Sequence, residues 1–151
     1  MTHKEKHIQH QVPSFWIARP NPTRRLIQPP SELREKLAIN LNDVAVDFAC
    51  GPGYYPIELS KKAKRVVTVD LSPEILKKAQ NKAERTGIKN IQFLQSSGIN
   101  IQLDASSVDL ILLVTVYHEI GESETGLKEF NRILKRESKL TCRGNKERHL
   151  T

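Results

Sequence analysis

The stretch Val44-Ala45-Val46-Asp47-Phe48-Ala49-Cys50-Gly51-Pro52-Gly53-Tyr54-Tyr55 decides the fold. It opens with a short, valine-rich apolar run, too brief for a helix, which reads as a buried strand. Glycines stand at 51 and 53, and from Pro56 a helical pattern runs through Ile57, Leu59 and Lys61. Strand, glycine turn and helix bring backbone N–H groups close to a ligand without side chains intervening. A second strand, Val66-Val67-Thr68-Val69, ends at Asp70, 19 residues after Gly51. An acid at that spacing is placed to accept hydrogen bonds from ribose hydroxyls.

Working outward, the C-terminal side continues the alternation of strand and helix. Ser72 is the expected N-cap of a helix with Pro73 at its first position, Ile75, Leu76, Ala79 and Ala83 as its buried stripe, and Gly87 as its stop. Ile91 to Leu94 reads as a third strand. The longest apolar run, Leu110 to Val114, suits a central parallel strand buried on both faces. Gly121 and Ser123 open a last helix with Leu127, Phe130, Ile133 and Leu134 inward. This order predicts an α/β doubly wound parallel sheet.

Asp47-x-Ala49-x-Gly51-x-Gly53 followed by Asp70 resembles the Asp-x-Gly-x-Gly-x-Gly motif and ribose acid of class I S-adenosylmethionine-dependent methyltransferases. A nicotinamide site would ask for a third glycine where Pro56 stands, and for no acid at 47. The resemblance continues through Val69-Asp70-Leu71-Ser72-Pro73-Glu74, Ser107-Val108-Asp109-Leu110-Ile111, Tyr117-His118-Glu119 and the helix from Leu127 to Lys135. It implies a Rossmann-like sheet of the class I methyltransferase type, S-adenosylmethionine as cofactor, and methyl transfer to a small-molecule acceptor. By that resemblance Ala49, Gly51 and Gly53 would approach the amino-acid part of the cofactor, with Asp47 holding its ammonium end. Asp70 would take the ribose, Leu71 would flank the adenine, and Ser97 would contact its amino group in place of the family's usual Asp. His118, at the end of the fourth strand, would be a candidate base for the nucleophile's proton; a pocket-shaping histidine is the alternative.

The family's Pro-Gly-Gly and long fifth strand are replaced by Arg136-Glu137-Ser138-Lys139-Leu140-Thr141-Cys142. The sheet is therefore expected to lack its final strands, with at most a short edge strand at Lys139 to Cys142. An open apolar edge would favour self-association. Such a chain could be a shortened enzyme, or a non-catalytic remnant that binds cofactor weakly or binds a partner. The expected organisation is an N-terminal extension over 1–28, a cofactor-binding domain over 29–140 and a polar tail over 141–151.

Composition bounds the rest. The net charge is +7, but residues 41–110 carry 9 basic and 8 acidic groups, so the excess sits at the ends. With no basic-aromatic interleaving to stack bases, nucleic acid is not the expected partner. Two cysteines give no disulfide framework, and neither a signal peptide nor an apolar run of membrane length is present, so a cytoplasmic protein is expected. His3, His7 and His10 have metal-like spacing but no companion ligand, and no metal is expected. In the same arm, Phe15-Trp16-Ile17 could dock on the domain.

Overall fold

The computed structural model describes residues 35–51, 53–114, 124–143 and 148–150. The N-terminal arm with its histidines and apolar triplet lies outside the described residues, as do Tyr117, His118 and Glu119. The chain runs β1 (Val44–Phe48), α1 (Tyr54–Ser60), β2 (Arg65–Asp70), α2 (Pro73–Arg85), β3 (Ile91–Gln95), β4 (Val108–Val114), α3 (Glu124–Ile133), β5 (Leu134–Arg143) and β6 (Arg148–Leu150).

The strands form a six-stranded sheet in the order β3-β2-β1-β4-β5-β6. β1 to β5 pair in parallel, and β6 alone is antiparallel. The order reverses between β1 and β4, so their C-terminal ends flank the crevice where open α/β sheets bind ligands. This is the Rossmann-like doubly wound sheet expected from the sequence.

Side chains alternate across each strand, and the two sheet faces hold separate cores. Val46, Phe48, Val67, Val69, Ile111 and Leu113 pack with Phe130 and Ile133 of α3. On the other face, Ala45, Val66, Leu110 and Leu112 pack with Leu59 of α1, and Ile75, Leu76 and Ala79 of α2 pack with Phe93. Each fully buried Leu, Ile or Phe contributes about 1.5–3 kcal/mol relative to exposure. β1, β2 and β4 are buried on both faces, which is why their sequences are almost continuously apolar. At the opposite end from the crevice, Asp109 accepts the Val44 N–H at 2.9 Å and Lys135 Nζ at 2.7 and 2.9 Å, tying β1, β4 and β5 together.

α2 forms as its sequence predicts. Ser72 Oγ accepts the Ile75 N–H at 3.3 Å, Pro73 starts the helix, and Ile75, Leu76, Ala79 and Ala83 are its buried residues. Gly87 follows at φ +72°.

The C-terminal part differs from expectation. Leu134 begins β5 directly after α3 instead of ending the helix. Lys139 to Cys142 do not form a short edge strand: they lie inside a ten-residue β5. Val108 pairs with Leu134 but Leu110 with Lys139, so β5 bulges and then resumes a parallel ladder to Arg143. β6 pairs antiparallel over Leu140 to Cys142, so residues assigned to a polar tail supply the last strand and the end of β5. The outer strands of the sheet are β3 and β6, and the apolar β4 lies inside, between β1 and β5. The sequence signal was weak here because β5 is rich in charge, with Lys135, Arg136, Glu137 and Lys139 breaking the apolar pattern that identifies a buried strand.

Candidate functional site

The turn after β1 is built from left-handed residues. Ala49 has φ +56°, Gly51 φ +52° and Gly53 φ +80°. The Ala49 N–H donates to the Val69 carbonyl at 2.7 Å, so the β1–β2 ladder runs into the turn. The two glycines serve different ends. A Cβ on Gly53 would stand 2.9 Å from Ala79 Cβ and 3.0 Å from its Cα, so Gly53 lets α2 pack against the turn. A Cβ on Gly51 would meet nothing within 4 Å among the described residues, which leaves space for a ligand beside it. Ala49 occupies a conformation that costs a side-chain-bearing residue about 1–2 kcal/mol.

Asp70 ends β2 beside that turn. Its carboxylate accepts the Ser72 N–H at 3.0 Å, and the backbone N–H groups of Gly51 and Leu71 add favourable field around it. Burial raises its pKa, against the lowering effect of those three donors. Cys50 Sγ lies 4.0 Å from Asp70 Oδ2. Burial, followed by the charges of Asp47 and Asp70, pushes the Cys50 thiol far up, so it stays protonated and packs with Ile75, Leu76 and Ala79.

Asp47 is the most constrained group. It is 1% exposed, and its Oδ2 has no hydrogen-bond partner among the described residues. Its pKa is raised well above the ordinary carboxylate value, first by burial and then by the neighbouring charge of Asp70. Directly opposite it in register stands Thr68, also buried, whose Oγ1 likewise has no partner among the described residues. Sequence reasoning passed over Thr68. The available signal was a lone hydroxyl in an otherwise all-valine strand interior.

After the C-terminal ends of β2 and β3, Leu71 is 67% and Ile99 59% exposed. Ser97 is exposed between them in sequence. The segment is held to β2 through the Ser96 N–H, which donates to the Asp70 carbonyl at 3.1 Å, and through Gln95 Nε2, which donates to the Leu71 carbonyl at 3.1 Å. Ile99 was not singled out from the sequence, where it looks like any loop residue. Tyr54 sits under Lys82, with Nζ 3.1 Å from the ring centroid, so it links α1 to α2. Asp47, Ala49, Gly51, Gly53 and Asp70 therefore converge at one turn, and Leu71 and Ser97 lie on the adjoining loops. The His118 assignment lies outside the described residues.

The chemistry of this site fits S-adenosylmethionine. Two buried carboxylates stand together, one with an oxygen that no described residue bonds, and the ligand carries an ammonium and a sulfonium. Apolar side chains at Leu71 and Ile99 suit the faces of a base.

Among the described residues no helix is long and apolar enough to cross a membrane. The family profile described as "Methyltransferase domain" matches residues 46–142. The chain is 26% identical over 126 residues to a probable cobalt-precorrin-6B C(15)-methyltransferase (decarboxylating) of Methanobrevibacter smithii, covering 83% of this chain and 62% of that protein. It is 28% identical over 100 residues to the demethylmenaquinone methyltransferase of Lactococcus lactis subsp. lactis, covering 64% and 40%. A shorter match, 36% identical over 61 residues, is to a 23S rRNA (uracil(1939)-C(5))-methyltransferase of Aliivibrio fischeri, covering 40% of this chain and 14% of that protein. The fold superposes on a SAM-dependent methyltransferase from Aquifex aeolicus with a TM-score of 0.74 at 25% identity, covering 83% of this chain and 72% of that one. The chain thus spans less than two thirds of the length of these curated relatives. With the glycine turn, the paired acids and the sheet order all in place, the chain belongs to the methyltransferase-domain family of class I, S-adenosylmethionine-dependent proteins.

Proposed function

We propose that this chain binds S-adenosylmethionine in the crevice beside the turn 49–53 and transfers its methyl group to a small-molecule acceptor. The observation that carries this reading is the buried Asp47, whose Oδ2 has no partner among the described residues and which lies beside Asp70. A buried carboxylate without a counter-charge is costly, and a cationic ligand offsets that cost. Because Asp47 is almost inaccessible, it acts on the ammonium end through its field and through water, whereas Asp70 accepts from the ribose hydroxyls. The Gly51 backbone approaches the amino-acid portion, and Leu71 and Ile99 bracket the base, with Ser97 near its edge.

When bound, the cofactor supplies an electrophilic methyl group on a good leaving group. The chain's own work is then positioning and exclusion of water. His118, which follows β4, is proposed to take the acceptor's proton where the nucleophile needs it removed. A small molecule is favoured over RNA because the longer matches are to precorrin and quinone methyltransferases, and because the central segment is nearly balanced in charge. Calorimetric titration of the chain with S-adenosylmethionine and with a nicotinamide dinucleotide tests the cofactor assignment. Saturable binding of the first and none of the second is expected; tighter binding of the dinucleotide overturns it.

A further inference from the structure

The segment between β3 and β4 that carries Ser97 and Ile99 is held in place by α3, on the far face of the sheet. Glu129 Oε1 accepts the Ile101 N–H at 2.8 Å. Arg132 donates from Nη2 to the Ile101 carbonyl and from Nη1 to the Leu103 carbonyl, each at 2.9 Å. The same guanidinium forks onto Glu129, with Nε to Oε2 at 2.9 Å and Nη2 to Oε1 at 2.7 Å. The N–H groups of Ser106 and Ser107 then donate to the carbonyls of Arg132 and Ile133, each at 2.9 Å.

A second anchor lies just before Ile99. The Gly98 N–H donates to Ser96 Oγ at 3.1 Å, and Ser96 Oγ donates to the Asn100 carbonyl at 3.3 Å. A Cβ at Gly98 would stand 2.8 Å from Phe48 Cζ, so the backbone rests on that ring. Phe48 in turn meets Phe130 of α3 edge-on, with centroids 5.3 Å apart and planes at 69°. The exposed Ile99 is thus suspended between two points, Gly98 and Ile101, both referred back to α3.

We propose that Glu129 and Arg132 are positioning residues that fix the turn from Gly98 to Ile101 as one wall of the crevice, setting affinity for the nucleoside part of the cofactor without touching it. This rests on the S-adenosylmethionine reading above. A bidentate fork that also bridges two carbonyls fixes orientation as well as distance, which a lysine cannot reproduce. The Arg132 bond holds the Glu129 carboxyl below its usual range, so the brace stays charged near neutral pH. A staple that served only stability would lower the melting midpoint and leave the folded protein's affinity unchanged.

The test uses the full chain and the variants Arg132→Leu, Arg132→Lys and Glu129→Gln, at a temperature where circular dichroism shows each folded. Calorimetry gives affinities for S-adenosylhomocysteine and for 5′-methylthioadenosine, which keeps the nucleoside and lacks the amino-acid end. Arg132→Leu should weaken both ligands by a similar factor of about tenfold, with Arg132→Lys in between. Amide exchange at Gly98 to Asn100 in the unliganded variant should quicken while β1 and β2 are unchanged. Wild-type affinity for both ligands in folded Arg132→Leu overturns the inference, as does a loss confined to S-adenosylhomocysteine. If Arg132→Leu does not fold, unchanged affinity in both Arg132→Lys and Glu129→Gln overturns it. Failure of the wild-type chain to bind either ligand sinks the cofactor reading itself, and shows this before any variant is compared.

Discussion

Asp47 on β1 and Thr68 on β2 stand opposite each other in the parallel register, and each buries an oxygen that no described residue bonds. Two such groups side by side in a strand interior are a local cost of about 1–3 kcal/mol each unless water or a ligand meets them. They lie beneath the one part of the sheet where a ligand is expected. Stability given up at that point is consistent with a site completed by its ligand.

The pH dependence of stability follows from the raised pKa of Asp47. The folded state holds this proton more tightly than the unfolded state. The contribution of Asp47 to the stability of the unliganded chain is therefore greatest below the ordinary carboxylate pKa and falls as pH rises toward the raised value, opposite in sign to those of Glu74 and Glu129, whose carboxyls are lowered. Asp70, also raised, adds in the same direction. Asp47→Asn should flatten this slope and raise the neutral-pH melting midpoint of the unliganded chain by ~2–4 °C. Thermal melts from pH 4 to 7.5 in both proteins check this.

Asp70→Ala should weaken S-adenosylmethionine binding by about 1.5–3 kcal/mol, the scale of a lost charge-assisted acceptor. Because Asp70 also accepts the Ser72 N–H at 3.0 Å, exchange at that amide should quicken in the variant. Calorimetry and amide exchange read the two effects separately.

The two glycines of the turn should respond differently to alanine. Gly53→Ala meets Ala79 at 2.9 Å and also carries a left-handed φ, so it should destabilise by about 2–4 kcal/mol. Gly51→Ala meets no atom among the described residues and should cost only the conformational ~1–2 kcal/mol, with its larger effect on cofactor affinity. Denaturant unfolding of the two variants separates them.

Ala49 is a side-chain-bearing residue at φ +56°. Ala49→Gly should raise stability by roughly 0.5–1 kcal/mol, because relief of the left-handed strain exceeds the extra freedom glycine gives the unfolded chain. A fall in the unfolding midpoint would show that the Ala49 methyl, packed against the core, matters more.

Much of this was legible in the sequence because the central strands announce themselves. Ala45 to Phe48, Val66 to Val69 and Leu110 to Leu113 are mostly apolar runs buried on both faces, and Ser72-Pro73 marks the start of α2 chemically. The glycine turn and Asp70 were read from the strand–glycine–helix pattern, from spacing and from the family resemblance. What spacing could not supply was the division of labour within the turn, since only the approach of Ala79 shows that Gly53 is needed for packing. Nor could it show Thr68 or Ile99, whose importance lies in burial and exposure rather than residue type. β5 was underestimated because its charged start hides a strand that pairs with β4 and β6.

The most direct test of the central claim, that Asp47 supplies the counter-charge for a cationic cofactor, is the pH dependence of affinity. S-adenosylmethionine should be titrated calorimetrically into the wild-type chain and into Asp47→Asn from pH 5 to 6.5, below the range in which the ligand's α-amino group titrates. The account predicts that wild-type affinity rises with pH as Asp47 loses its proton, and that Asp47→Asn binds more weakly with a flatter profile. Identical profiles in the two proteins, or no binding by the wild-type chain, would contradict it.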